Sequence, residues 1–139
     1  MSPLKLIQEE LSHDPWKLLV ACIMLNQTSY KQVRPIIWSF FETYPDATTL
    51  SHTDANDVAK LIRPLGFQNR RAKTLVRFSR EYAAGDWSDP SDLHGVGKYA
   101  ADSYAMFVEG NVRNTDPTDK KLAAYKQWWH DAKDDVQEA

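Results

Sequence analysis

Apolar residues recur every three to four positions along most of the chain, which is the period of an amphipathic α-helix. The run "HDPWKLLVACIML" is apolar on all sides after Asp14 and Pro15, a capping residue followed by a first-turn proline. This pattern predicts a capped helix buried at the centre of the fold. Further helices are predicted over residues 2–11, 33–44, 53–63, 70–82 and 98–109, and from Pro117 onward.

Two of these helices repeat the pairing of a cap with a proline, at Ser2–Pro3 and at Asp116–Pro117. Pro35 lies inside the segment 33–44 and should either kink its helix or mark its first turn. No segment alternates apolar and polar residues as a half-buried strand would. The sequence therefore predicts an all-α fold.

Composition places this helical chain among single-domain globular proteins. Its 139 residues are 42% hydrophobic and 26% charged, which predicts one domain spanning residues 1–139. The mean hydropathy is -0.56, and no long apolar run is present, so we expect no membrane span. The first residues lack the apolar core of a signal peptide, which favours an intracellular protein. Cys22 lies in an apolar run and is expected to be a buried thiol, and one cysteine provides neither an internal disulfide nor a metal cluster.

The net charge of -2 conceals an uneven distribution of charges. Residues 60–80 contain seven basic side chains and no acidic one, whereas the last ten residues are acidic. A basic stripe is typical of a nucleic-acid contact surface, although a solvated helix face has the same composition. A second feature beside the stripe is needed to separate the two interpretations.

The stretch "LHGVGKYAADSY" (residues 93–104) supplies that feature. It predicts a helix-hairpin-helix at about residues 89–108, with Gly95 and Gly97 in the turn. Glycines let the backbone approach a phosphate closely, and the amides at the start of the next helix favour an anion. Lys98 adds a positive charge. A plain glycine turn between two helices is the alternative.

The motif "LHGVGKY" resembles the helix-hairpin-helix of the DNA glycosylase superfamily. Other blocks, in order, resemble the mismatch glycosylases of that superfamily that carry a methyl-CpG-binding domain: "QEELSHDPWKLLVA", "LNQTS", "IRPLGFQNRRAKTLVRFS", "DLHGVGKYAADSY" and "DPTDKKLAAYKQWW". The resemblance implies two helical subdomains with the active site in the cleft between them. It also implies a monomeric nuclear enzyme that removes thymine or uracil paired with guanine in double-stranded DNA, in base-excision repair, without a cofactor or a metal.

The resemblance implies three residues at the reacting nucleotide. Asp119 matches the catalytic aspartate, which stabilises the positive charge that develops on the sugar, whereas Asp116 and Asp102 are expected to be a cap and a helix-surface residue. On the predicted boundaries Asp119 is the third residue of the last helix, where the macrodipole favours a carboxylate. Tyr99 stands where strand-cutting relatives have a lysine, so hydrolysis without strand cleavage is expected, with the tyrosine ring stacked on the flipped base. Gln8 matches a pocket glutamine that hydrogen-bonds to the base edge.

The remaining implied contacts are made with the DNA around that nucleotide. Gln27 and Phe67 stand where the relatives use arginine and leucine to fill the void in the helix, and Phe67 can still act as a wedge. His94 is expected to have a structural role in the hairpin. Contacts with the DNA backbone are expected from Gly95, Val96, Gly97, Lys98, Arg71 and Lys73.

Other functions explain fewer of these features. A non-catalytic helix-hairpin-helix module that binds double-stranded DNA accounts for the glycines and the basic stripe but not for Asp119, Tyr99 and Gln8. A strand-cutting glycosylase needs the lysine that Tyr99 replaces and usually four cluster cysteines, and an adenine-removing one would be expected to have that cluster too. A helical protein-interaction domain predicts no DNA binding.

Overall fold

The computed structural model describes residues 1–138, with side chains as far as Asp134. Within this range the chain forms α-helices joined by short loops and two 3-10 turns, and no strand, so the predicted all-α fold is confirmed. The helices are α1 (Ile7–Leu11), α2 (Pro15–Leu25), α3 (Tyr30–Thr43), α4 (Ala47–Ser51), α5 (Ala55–Ile62), α6 (Gln68–Ala84), α7 (Lys98–Phe107) and α8 (Lys120–Glu138). The 3-10 turns are Arg63–Leu65 and Pro90–Asp92.

Helix α2 lies at the centre of the core, as its apolar sequence predicts. The Asp14 carboxylate accepts a hydrogen bond from the Lys17 amide at 3.2 Å, and Pro15 is the first helical residue. Every residue from Leu18 to Leu25 is buried, because α1, α3, α6 and α7 pack around this helix. The loop that follows α2 is therefore held close to several neighbouring helices.

The predicted starts of two helices are wrong, and both errors come from a cap followed by proline. Helix α1 begins at Ile7 because the Glu9 carboxylate accepts hydrogen bonds from the backbone amides of Ser2 and Leu6, each at 2.7 Å. The preceding residues form a turn, in which Leu4 is exposed. At the other end of the chain, α8 begins at Lys120 rather than at Pro117.

Asp119, and not Asp116, caps α8. One carboxylate oxygen of Asp119, Oδ2, accepts hydrogen bonds from the amides of Lys121 at 3.1 Å and Leu122 at 3.0 Å. The backbone oxygen of Asp116 instead accepts a hydrogen bond from Lys98 Nζ at 2.9 Å. This contact holds the approach to α8 against the start of α7.

Three details of the middle of the chain also differ from the sequence predictions. Ser29 caps α3, so Pro35 lies inside the helix and not in its first turn. Helix α4, which the sequence analysis did not identify, is a five-residue helix capped by Asp46. Helix α6 is longer than predicted and ends at Gly85, as expected.

The buried apolar side chains form one large cluster around α2 and a smaller one of Leu6, Met106, Val112 and Leu122. Tyr30 and Tyr99 pack against both clusters. A cleft opens where these two tyrosines lie. None of the helices described is both long enough and apolar enough to span a bilayer.

Candidate active site

The hairpin before α7 has two glycines with different structural roles. Gly95 has a φ of 86°, and a Cβ there would lie 2.7 Å from Thr74 Cγ2 and 3.5 Å from Ile23 Cδ1. Glycine is therefore required at position 95 both for its left-handed backbone and for its packing. A Cβ on Gly97 would meet no atom within 4 Å, so this side of the turn is open to a ligand.

The hairpin is also tied to α6 by a hydrogen bond. The backbone amide of His94 donates to Glu81 Oε1 at 2.9 Å, and this bond is the main cause that holds the pKa of the Glu81 carboxyl below its ordinary value. His94 acts through its main chain here, which agrees with a structural role. At the start of α7 the Gly97 cap provides no side-chain acceptor for the first amides. These donors are the groups that helix-hairpin-helix motifs present to phosphate.

The cleft beside the hairpin has a volume of about 690 Å³. Its walls come from three segments that are far apart in the sequence: the loop after α2 with Tyr30, the hairpin with the start of α7, and residues 118–121. The fold thus brings together Gln27, Gly95, Gly97, Lys98, Tyr99 and Asp119, all of which the sequence analysis selected.

Asp119 is half-buried in the wall of this cleft. Its two side-chain hydrogen bonds from α8 amides both end on Oδ2, and within the described residues Oδ1 accepts none. The capping bonds fix the carboxylate, and the positive end of the α8 macrodipole stabilises its negative charge. The arrangement suits electrostatic stabilisation of a cationic group in the cleft.

Gln8 lies behind the cleft rather than in its wall. Its side chain is 0% exposed, and Nε2 donates hydrogen bonds to the Tyr99 hydroxyl at 2.7 Å and to Ser103 Oγ at 3.2 Å. Oε1 accepts a hydrogen bond from the Tyr30 hydroxyl at 2.8 Å. The predicted direct contact between Gln8 and a base is therefore not possible in this state of the protein. Tyr99, in contrast, lines the cleft as predicted.

Sequence reasoning missed Tyr30 and Ser103 as parts of this network. Ser103 lies one helical turn after Tyr99, so the i, i+4 spacing on α7 places both on one face. No comparable signal marked Tyr30, which follows the cap of α3. Its ring also contacts Lys121, whose Nζ lies 3.8 Å from the ring centroid.

The polar groups at the back of the cleft remain neutral near physiological pH. Burial raises the pKa of the Cys22 thiol to about 12 and that of the Tyr30 hydroxyl to about 12. Burial also raises the pKa of Tyr99. The buried thiol predicted at Cys22 is confirmed, and it lies at the cleft floor as a protonated, unreactive group.

Gln27 and Phe67 flank a neighbouring cavity of about 290 Å³. Both have left-handed backbones, with φ of 63° and 50°, although neither is glycine. Such conformations are uncommon for these residues and often occur at functional sites. The Phe67 side chain is 66% exposed, which is unusual for a large apolar group. The geometry suits the predicted wedge role, because the ring is already outside the core.

Arg71 does not fit its predicted role as a phosphate contact. The residue is only 8% exposed, and its guanidinium donates hydrogen bonds to the backbone oxygens of Met24 and Asn26, each at 2.7 Å. It points inward because the last carbonyls of α2 need donors. Lys73 is exposed on the same helix and remains a candidate for phosphate binding.

Lys98 and Arg77 are both involved in ion pairs. Lys98 Nζ lies 2.7 Å from Asp102 Oδ2, so its charge is shared between this carboxylate and the Asp116 carbonyl. Arg77 pairs with Glu81 on α6. The side chains in the described residues offer no group of three or more histidine, cysteine, aspartate or glutamate residues that could hold a metal ion.

Comparison with known proteins identifies the family of the chain that forms this hairpin, cleft and carboxylate. Residues 20–136 match the family described as HhH-GPD superfamily base excision DNA repair protein. The chain belongs to this superfamily. The match includes the hairpin, Tyr99 and Asp119, and leaves out residues 1–19, which contain α1 with Gln8 and the start of α2, and residues 137–139.

Individual members of the superfamily are similar over much of the chain. It is 44% identical over 124 residues to a methyl-CpG-binding domain protein 4-like protein of Arabidopsis thaliana, and the match covers 89% of the chain and 28% of that protein. It is 35% identical over 104 residues to a thymine/uracil-DNA glycosylase of Pyrobaculum aerophilum, with 70% and 45% covered. A solved structure of a thermostable thymine-DNA glycosylase superposes with a TM-score of 0.64 at 29% identity, covering 70% of this chain and 48% of that one. The chain thus spans less than half the length of these relatives.

Proposed function

We propose that this chain is a monofunctional DNA glycosylase that removes thymine or uracil paired with guanine. The observation that carries the proposal is the capped Asp119 carboxylate in the wall of a cleft that also contains the open side of Gly97 and the ring of Tyr99. Similarity to proteins named thymine- or uracil-DNA glycosylases supports the choice of base.

The reaction begins when the mismatched nucleotide leaves the duplex. Glycosylases extrude the target nucleotide into a pocket, and a mismatched base costs less to unpair than a matched one. The hairpin amides and Gly97 hold the phosphates, and Phe67 enters the gap in the base stack. The base then enters the cleft beside the Tyr99 ring.

Base release is the cleavage of the bond between the sugar C1′ and the pyrimidine N1. The bonding electrons leave with the base, and the sugar becomes cationic. The Asp119 carboxylate stabilises this cation, and water then adds to C1′ and loses a proton, while the departing base anion takes up a proton from solvent. The products are the free base and an abasic site in an intact strand.

Strand cleavage would need an amine that attacks C1′, and position 99 provides a phenol instead. Of the three lysines that line the cleft, Lys98 and Lys121 are held in other contacts, and Lys120 is exposed at the start of α8. Lys98 is bound by Asp102 and by the Asp116 carbonyl, and Lys121 lies over the Tyr30 ring. The phenol at position 99, together with these contacts of Lys98 and Lys121, supports hydrolysis without a covalent intermediate.

We further propose that residues 1–139 act as one domain and as a monomer, on double-stranded DNA in the nucleus. Membership of a base-excision repair superfamily supports DNA as the partner. The nuclear site of action follows from the resemblance of the sequence to mismatch glycosylases with a methyl-CpG-binding domain.

The decisive assay uses end-labelled duplexes that contain a single G·T or G·U pair, with G·C, A·T and A·U duplexes as controls. We expect strands to break only after hot alkali, which cleaves abasic sites, and only in the mismatched duplexes. DNA binding without any alkali-labile product would instead favour the non-catalytic helix-hairpin-helix module.

A further inference from the structure

The Tyr30 hydroxyl occupies the acceptor side of the Gln8 amide. It donates to Oε1 at 2.8 Å, while both hydrogens of Nε2 are used by Tyr99 and Ser103. Since Gln8 is fully buried behind the two tyrosines, no base can reach the amide without moving a tyrosine. Of the two, Tyr30 is the one bound to the amide oxygen.

The orientation of the amide determines which base fits it. Ser103 is buried on α7 and, together with Tyr99, fixes Nε2 on one side, so that Oε1 is the group left for a ligand. Thymine and uracil have an N3–H donor, whereas cytosine has an acceptor at N3. The hydrogen bond from Tyr30 O–H to Oε1 is the same bond that N3–H would make.

We propose that Tyr30 stands in for the substrate base in the free protein, and that a flipped thymine or uracil binds by displacing the Tyr30 hydroxyl from Gln8 Oε1. This inference rests on the proposed function and makes Tyr30 a positioning residue that competes with the substrate. Base binding is then an exchange of one hydrogen bond for another. A base without an N3–H donor cannot complete the exchange and leaves Oε1 unpaired.

The surroundings of Tyr30 permit this exchange. The residue is half-buried and lines both the main cleft and a second cavity of about 350 Å³, which Leu6, Arg34 and Lys121 also line. The ring can therefore leave the amide without entering the core. Burial raises the pKa of its hydroxyl to about 12, so the group remains a donor across the physiological range.

The test compares the natural protein with Tyr30→Phe, which keeps the ring and removes the hydroxyl. The probe is a duplex with guanine opposite 2′-fluoroarabino-thymidine, whose glycosidic bond resists hydrolysis. Because the variant has no hydroxyl to displace, we expect it to bind this probe about threefold to tenfold more tightly, with unchanged affinity for a G·C duplex. In single-turnover assays the DNA concentration for half-maximal rate should fall by the same factor.

The matched control is Tyr44→Phe, at the other end of the same helix, which should alter neither quantity. Equal or weaker binding of the probe by Tyr30→Phe overturns the inference, because loss of a purely structural contact does not tighten binding. If the natural protein releases no base from G·T or G·U duplexes, the proposed function itself fails. Normal base release together with equal or weaker probe binding by Tyr30→Phe overturns the inference alone.

A second measurement needs no variant. The natural protein should bind a probe containing 3-methylthymine at least fivefold more weakly than the thymine probe, since the methyl group removes the donor that replaces Tyr30. Equal affinity for the two probes would show that Gln8 Oε1 does not receive the base, and would also overturn the inference.

Discussion

A carboxylate that caps a helix can serve stability alone, and at Asp119 the two roles can be separated by one substitution. Asn retains a side-chain oxygen that accepts the hydrogen bonds from the amides of Lys121 and Leu122. It lacks the full negative charge that stabilises a cationic sugar. Asp119 therefore differs from an ordinary cap only in the chemical step.

We expect Asp119→Asn to lower the single-turnover rate of base release by at least about 10²–10³. Affinity for the mismatched duplex should stay within a few-fold, because the carboxylate acts at the transition state. The control is Asp116→Asn, whose side chain is exposed and does not cap α8. Near-normal turnover in Asp119→Asn would show that the catalytic residue lies elsewhere.

Tyr99 makes the absence of strand cleavage testable. Borohydride reduces an imine between a lysine and the sugar, and so traps protein on DNA. With a phenol at position 99, and with Lys98 and Lys121 held in other contacts, we expect no trapped adduct during turnover of a G·U duplex. A known lyase provides the positive control. Efficient trapping would contradict the monofunctional assignment.

Helix α6 carries basic residues that lie in opposite environments. Arg71 turns inward and binds the carbonyls at the end of α2, whereas Lys73, two residues later, faces solvent. The first contact fixes the loop that contains Gln27. A basic stripe read from sequence alone cannot distinguish the two, since the direction of each side chain depends on what the helix packs against.

We expect Arg71→Met to lower the free energy of unfolding by about 2–3 kcal/mol, because it leaves the carbonyls of Met24 and Asn26 without their buried donors. Lys73→Met should change it by less than about 0.5 kcal/mol. Urea denaturation followed by tryptophan fluorescence measures both. Equal stability of the two variants would show that Arg71 is not needed to hold the loop.

The predictable part of the fold follows from local patterns. A continuous apolar run identifies α2, and periodic apolar positions identify the longer helices. The same cap-and-proline signal that marks the start of α2 failed before α1 and α8, where Glu9 and Lys98 bind backbone groups from a distance in the sequence. Likewise, the family motif located Asp119 and Tyr99, but the burial of Gln8 depends on Tyr30, which reaches it only in the folded chain.

At the scale of the whole molecule, the net charge of -2 requires DNA binding to depend on local charges. The log of the affinity should fall linearly with the log of the salt concentration, with a slope of about -0.9 for each phosphate contact. Lys73→Met should reduce the magnitude of this slope by about one contact. Arg71→Met should leave the slope unchanged, and a salt-independent affinity would exclude the basic residues of α6 from the interface.

The tight packing of Gly95 against Thr74 and Ile23, with the His94–Glu81 hydrogen bond beside it, joins the hairpin to α6 and to the end of α2. On the proposed function, the parts that hold the phosphates, fill the base stack and line the base pocket therefore form one connected surface. If only the Tyr30 side chain moves when a base binds, the duplex has to supply the bending. We therefore expect the protein to prefer sites where the double helix deforms most easily, before any base is recognised.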